Sequence, residues 1–150
     1  MMYAVVRLRG NVGIDDKTED TMEMLDLKNK FNCVLIPENK SYEGMLEKAQ
    51  KVITWGKINE ETLSKLLKKR GYVKNNGRLS ENLEEMGYDS IGDLIDELKG
   101  DSKVKDLGIK VPFRLNSPSK GFKSNLKNLY PQGELGNRKE NINDLLKRMI

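Results

Sequence analysis

Over residues 2–58 the spacing of apolar side chains switches repeatedly between two and about 3.6 residues, and that alternation limits the folds open to the chain. Residues 3–9 alternate, with Ala4, Val6 and Leu8 on one side and Tyr3, Val5, Arg7 and Arg9 on the other. This is a strand with one apolar face and one face carrying two cations. Gly10-Asn11-Val12-Gly13 ends it. Asp20 and Glu23 form a capping pair for a helix holding Met22, Met24, Leu25 and Leu27. Residues 32–36 read as a short strand stopped by Pro37. Tyr42, Met45, Leu46, Ala49, Val52 and Ile53 then fall at helical spacing, and residues 54–58 follow as a strand. Strand–helix–strand–helix–strand lets two helices cover one face of a three-stranded sheet. The other face, bearing Arg7 and Arg9, is expected to stay open.

The texture changes at Asn59. Residues 60–70 place Leu63, Leu66 and Leu67 on one helical stripe that ends at Gly71. Lys74-Asn75-Asn76-Gly77-Arg78 is turn-rich. Residues 80–86 and 90–99 read as further short helices, the second with Ile91, Leu94, Ile95 and Leu98 on one side and a Ser90/Asp93 cap pair. Residues 101–107 add another helical turn. Residues 110–115 return to strand alternation, with Val111, Phe113 and Leu115 opposite Lys110 and Arg114. Residues 116–139 are rich in Pro, Ser, Gly and Lys and read mostly as loop. Asn141 and Asp144 cap a last helix with Ile142, Leu145, Leu146 and Met149. The expected organisation is an α+β core over 1–58, a helical extension over 59–109, and a basic strand-loop segment with a C-terminal helix over 110–150.

Charge supplies the functional signal. The 27 Lys and Arg against 23 Asp and Glu are unevenly placed. Residues 1–100 hold 16 basic and 18 acidic side chains, whereas 101–150 hold 11 and 5. A cationic segment on a near-neutral body is the footprint of a polyanion binder. The 59–100 block holds seven basic and nine acidic side chains, so it is expected to face solvent or a basic protein. There is no His, which removes the commonest general base and metal ligand. The single Cys excludes an internal disulfide and suits a reducing compartment. No apolar run is long enough for a membrane span, and Arg7 and Arg9 interrupt any signal-peptide core.

Several residues could carry chemistry. Cys33 sits in a strand where a small apolar side chain is wanted, with no His to activate it, and reads as a buried inert thiol. Asp15, Asp16, Glu19 and Asp20 fit no Ca²⁺ loop and are explained by a helix start. Gly10-Asn11-Val12-Gly13 has the form of a KH-domain loop but follows a strand instead of joining two helices. Trp55 and Tyr42 suit the core better than base stacking. Residues 114–123, Arg-Leu-Asn-Ser-Pro-Ser-Lys-Gly-Phe-Lys, combine three cations with hydroxyl and amide donors and a Gly/Pro backbone. Such a loop offers exposed N–H groups to phosphate oxygens.

The chain also carries an ordered set of familiar stretches. These are Ala4-Val5-Val6-Arg7-Leu8-Arg9-Gly10, Phe31-Asn32-Cys33-Val34-Leu35-Ile36-Pro37, Ser41-Tyr42-Glu43-Gly44-Met45-Leu46 and Ile53-Thr54-Trp55-Gly56-Lys57-Ile58. Pro112-Phe113-Arg114-Leu115, Ser117-Pro118-Ser119-Lys120-Gly121-Phe122 and Gly133-Glu134-Leu135-Gly136 follow. Together they closely resemble the archaeal version of large-subunit ribosomal protein thirty, the family that includes eukaryotic large-subunit protein seven. The resemblance spans essentially the whole chain. It implies a ferredoxin-like βαβαβ core with a three-stranded antiparallel sheet, and a structural, non-catalytic role on large-subunit ribosomal RNA beside neighbouring ribosomal proteins. It implies no cofactor, no membrane and no small-molecule substrate, and a cytoplasmic, ribosome-associated location.

The expected RNA contacts are Arg7, Arg9, Lys28, Lys30, Asn32, Lys110, Arg114, Ser117, Ser119, Lys120 and Lys123. The loop after the first strand is not among them, because it carries Asp15-Asp16 where short bacterial members carry cations. Two rivals stand beside this reading. One is a free RNA-binding regulator of the same fold, against which counts the lack of an aromatic pair on the central strands. The other is a small metal-dependent hydrolase using Asp15 and Asp16.

Overall fold

A computed structural model describes residues 2–10, 12–74, 77–99 and 104–150. Asn11 of the glycine loop, Asn75-Asn76 of the expected turn and residues 101–103 of the expected helical turn lie outside this set. The first half follows the expected order: β1 (Met2–Arg7), α1 (Asp16–Met24), β2 (Asn32–Pro37), α2 (Lys40–Lys48) and β3 (Ile53–Lys57). Next come α3 (Glu60–Arg70), α4 (Ile91–Lys99), β4 (Phe113–Arg114), β5 (Asn125–Leu129), β6 (Gly133–Asn137) and α5 (Ile142–Met149). Single 3-10 turns occupy Leu79–Glu81, Val104–Leu107 and Lys139–Asn141.

Among the described residues the sheet has six strands in the order β4-β2-β1-β3-β6-β5, and it is mixed. β1 pairs antiparallel with β2 and β3, and β4 pairs antiparallel with β2. β6 runs parallel to β3, and β5 parallel to β6. The expected three-stranded antiparallel sheet is therefore only its centre. β6 earns its place through polar bonds. Thr54 donates its hydroxyl to the Gly136 carbonyl at 2.9 Å, and buried Arg138 donates to Thr54 Oγ1 at 2.8 Å and to the Glu134 carboxylate at 2.7 Å. Arg138, counted in the cationic segment, is thus consumed inside the protein.

Both faces of the sheet are covered, which overturns the expected open face. Tyr3 and Val5 pack with Met22, Leu25 and Leu27 near α1 and with Leu46 and Ala49 near α2. Ala4, Val6 and Leu8 pack with Leu66 of α3, Leu94 and Leu98 of α4, and Leu145 and Leu146 of α5. The extension supplies the second layer that a sheet with two apolar faces requires. Contact on that side is tight: a Cβ on Gly56 would collide with the Lys139 carbonyl and the Ile142 side chain. Asn143 of α5 fastens the same junction, accepting from the Asn59 N–H at 2.9 Å and donating to the Lys57 carbonyl at 3.1 Å.

Local differences have local causes. α1 starts at Asp16, four residues before the expected cap. α2 stops at Lys48 because Val52 is committed to a turn and Ile53 to β3, so the helical spacing of those two residues is coincidental. Its start is fixed by Asn39, whose side chain accepts from the Tyr42 N–H at 2.8 Å. Trp55 is buried in the core as its spacing suggested. The expected strand over 110–115 shortens to β4.

Candidate nucleic-acid interface

The β2–β4 edge of the sheet gathers most of the expected contact residues. In register, Asn32 lies opposite Arg114 and Cys33 opposite Phe113. Phe31 is held at φ 67° by donating its N–H to the Arg7 carbonyl at 2.7 Å and accepting from the Leu115 N–H at 3.1 Å. A bulky side chain rarely adopts that backbone conformation. Its ring meets Phe122 at 6.3 Å between centroids, and Lys30 Nζ lies 5.0 Å from the Phe31 centroid. The two aromatic rings thus join the Lys28–Lys30 segment to the 116–123 loop. Lys28, Lys30, Arg114, Ser117, Ser119, Lys120 and Lys123 are all exposed along this edge.

The loop is better anchored than its composition suggests. Asn116 and Ser119 donate their N–H groups to the Met149 and Arg148 carbonyls at 3.0 and 2.9 Å, and Gly121 donates to Pro118 at 3.0 Å. Arg148 in turn donates to the Gly121 carbonyl at 2.7 Å. Pro118 is buried and Phe122 packs on the core. The Ser119 and Gly121 amides are therefore already bonded within the protein, and the loop's side chains are what it presents outward.

Two expected contacts are buried. Arg7 is 0% exposed and Asn32 is 5% exposed. Arg7 points into the α1 side of the sheet, where its guanidinium meets Glu19 at 3.1 and 3.3 Å and donates to the Leu27 and Lys28 carbonyls at 2.7 and 3.3 Å. Its Nε donates to the Arg9 carbonyl at 2.8 Å. Arg7 is therefore a positioning residue that fixes the backbone beneath Lys28 and Arg9, while Arg9 itself reaches the Lys51 carbonyl at 3.4 Å. Lys110 is exposed but sits apart from the loop, in a cleft with Arg70, Tyr72, Pro112 and Arg114. Arg70 and Tyr72 escaped the sequence reading, since nothing local signals that residues 72 and 110 are neighbours.

Glu19 is engaged by Arg7, which removes it from any acidic metal set. Among the described residues no three His, Cys, Asp or Glu side chains converge for a metal ion. No helix among them is long and apolar enough to cross a membrane. Cys33 is fully buried, and that burial pushes its thiol up to about 12. A water-soluble thiol reagent at neutral pH should therefore leave the folded protein unlabelled and add one equivalent once guanidinium unfolds it. Stoichiometric labelling of the native chain would contradict the burial.

A family described as ribosomal protein L30p/L7e matches residues 3–53. Full-length relatives extend the similarity beyond that region. The large ribosomal subunit protein uL30 of Methanosphaera stadtmanae is 41% identical over 99% of this chain and 100% of its own length. The protein of the same name from Nanoarchaeum equitans is 42% identical over 99% of both chains. That from Methanococcus vannielii is 43% identical over 100% of both.

Proposed function

Because the chain belongs to the ribosomal protein L30p/L7e family, we propose that it is a structural, non-catalytic constituent of the large ribosomal subunit, held there by ribosomal RNA. The βαβαβ unit over 1–58 serves as a ferredoxin-like core. The β2–β4 edge is its RNA contact, through Lys28, Lys30, Arg114, Ser117, Ser119, Lys120 and Lys123, with Arg9 flanking it. The carrying observation is that two aromatic rings and a set of backbone bonds bring cations ninety residues apart in sequence onto one exposed edge. Clustered Lys and Arg neutralise phosphates and release counterions, which supplies affinity without base recognition. Of the 59–100 block expected to face solvent or a basic protein, that reading is kept for the stretch 81–97, which holds seven carboxylates and no cation, and is given up for the cationic end that includes Arg70.

The test is salt dependence. Replacing Lys28, Lys120 and Lys123 together by Ala should flatten the slope of log K against log salt for large-subunit RNA by about 2–3 units, since each lost phosphate contact removes somewhat under one. Thermal stability should hold, because exposed charges of this kind change it by only about 0.5 kcal/mol each. An unchanged slope in a folded triple variant would place the RNA contact elsewhere. Retention of the parent protein on large subunits through a high-salt wash separates a resident constituent from a free regulator.

A further inference from the structure

We propose that the cleft between the end of α3 and β4 takes one unstacked nucleotide of the RNA, its base against Tyr72 and its phosphate against Arg70, Lys110 and Arg114. The proposal rests on the RNA-binding reading above and gives that surface a second, chemically different subsite.

The cleft is assembled by backbone pairing between distant segments. Lys110 donates its N–H to the Tyr72 carbonyl at 2.7 Å, and Lys74 donates to the Gly108 carbonyl at 3.2 Å. Val73 and Ile109 form a bridge between the same segments. Arg70, Tyr72, Lys110, Pro112 and Arg114 line a hollow of about 340 Å³. That is the small end of the range for ligand sites, about 300–1,000 Å³, and a duplex cannot enter it. Three of the five lining side chains are cations, and among the described residues no carboxylate lines the hollow. The other two offer flat apolar surface, Tyr72 being 36% exposed as a residue.

Two details sharpen the choice of ligand. Arg70 Nε is buried and has no hydrogen-bond acceptor among the described residues, and a buried donor of that kind is costly unless something accepts from it. Arg78 lies over the Tyr72 ring with its guanidinium carbon 6.0 Å from the centroid, which orients the ring as a platform. An anion with an attached planar group satisfies all five residues together. A phosphate alone leaves Tyr72 and Pro112 unused, and an apolar peptide offers Arg70 Nε no acceptor. Arg114 also belongs to the β2–β4 edge, so a strand following the edge lysines reaches the cleft directly.

Ultraviolet cross-linking of large subunits containing the full chain tests the contact, because a base stacked on an aromatic ring couples to it without a linker. After nuclease and protease digestion, the peptide spanning Tyr72 should carry a nucleotide adduct. That peptide recovered bare, or joined to another protein, overturns the proposal. With free chain and extracted large-subunit RNA, Tyr72→Ala should weaken binding by about fivefold or more, the usual loss for one base–aromatic stack, and leave the salt slope unchanged. Tyr72→Phe should bind like the parent. Arg70→Gln should instead flatten the salt slope by about one unit. If the edge triple variant behaves as expected while Tyr72→Ala binds like the parent, the nucleotide subsite is wrong and the RNA-binding reading stands. If neither set changes RNA binding, both fall.

Discussion

Arg7→Ala should lower the free energy of unfolding by about 3–5 kcal/mol, read as a shifted denaturant midpoint at unchanged slope. The guanidinium is fully buried and ties together three segments: the Glu19 carboxylate, the Arg9 carbonyl, and the adjacent carbonyls of Leu27 and Lys28. Its removal strands carbonyls that folding has taken out of water, each costing about 1–3 kcal/mol. Glu19 is about one-third exposed and can rehydrate, which keeps the loss from being larger. Arg7→Met restores much of the volume but none of the donors, so it should recover little. A loss below about 1 kcal/mol for Arg7→Ala would mean that the polar network is incidental. Because the same carbonyls lie beneath Lys28 and Arg9, RNA affinity per folded molecule should fall as well.

Phe113→Ala should cost a comparable amount, about 3–5 kcal/mol, as large aromatic truncations in a core do. Phe113 is 1% exposed and is one of only two residues in β4, so its ring is the principal anchor of that strand. Amide exchange should report the loss locally. The Leu115 N–H, bonded to the Phe31 carbonyl at 3.1 Å, should exchange much faster in the variant than the N–H groups between β1 and β3. Uniform acceleration across the sheet would show that β4 is no more fragile than the centre. Arg114 follows Phe113 directly, so this variant should also loosen the cationic edge.

The central order of strands and helices was legible because those segments carry enough Val, Ile, Leu and Met for their spacing to report a face. β5 and β6 were not. Of the residues in Asn125–Leu129 and Gly133–Asn137 only Leu135 is a buried apolar side chain, and β6 is held beside β3 by Thr54, Glu134 and Arg138. Polar networks between residues eighty apart leave no periodic trace. The place of Arg7 is hidden for a related reason. Alternation places it correctly with Tyr3 and Val5, but its charge signals solvent where the neighbours on its own face are apolar. Lys28, Lys30 and the 114–123 cations were legible as charge. Their convergence depended on Phe31 meeting Phe122, which spacing alone does not reveal.

The bonds from Asn116 and Ser119 to the carbonyls of Met149 and Arg148 set an order of events during synthesis. Strands β1 to β3 and helices α1 and α2 can pair as soon as the first sixty residues have left the ribosome that makes them, and domains of this kind fold from the N-terminal side as they emerge. The 116–121 loop gains its backbone partners only when residues some thirty positions later are free to dock as α5. Until then only the α1/α2 face of the sheet is fully covered, and the loop, joined to the core through Phe31 and Phe122, lacks its backbone bonds to α5. The geometry in which the loop presents its cations is thereby fixed only once α5 has docked.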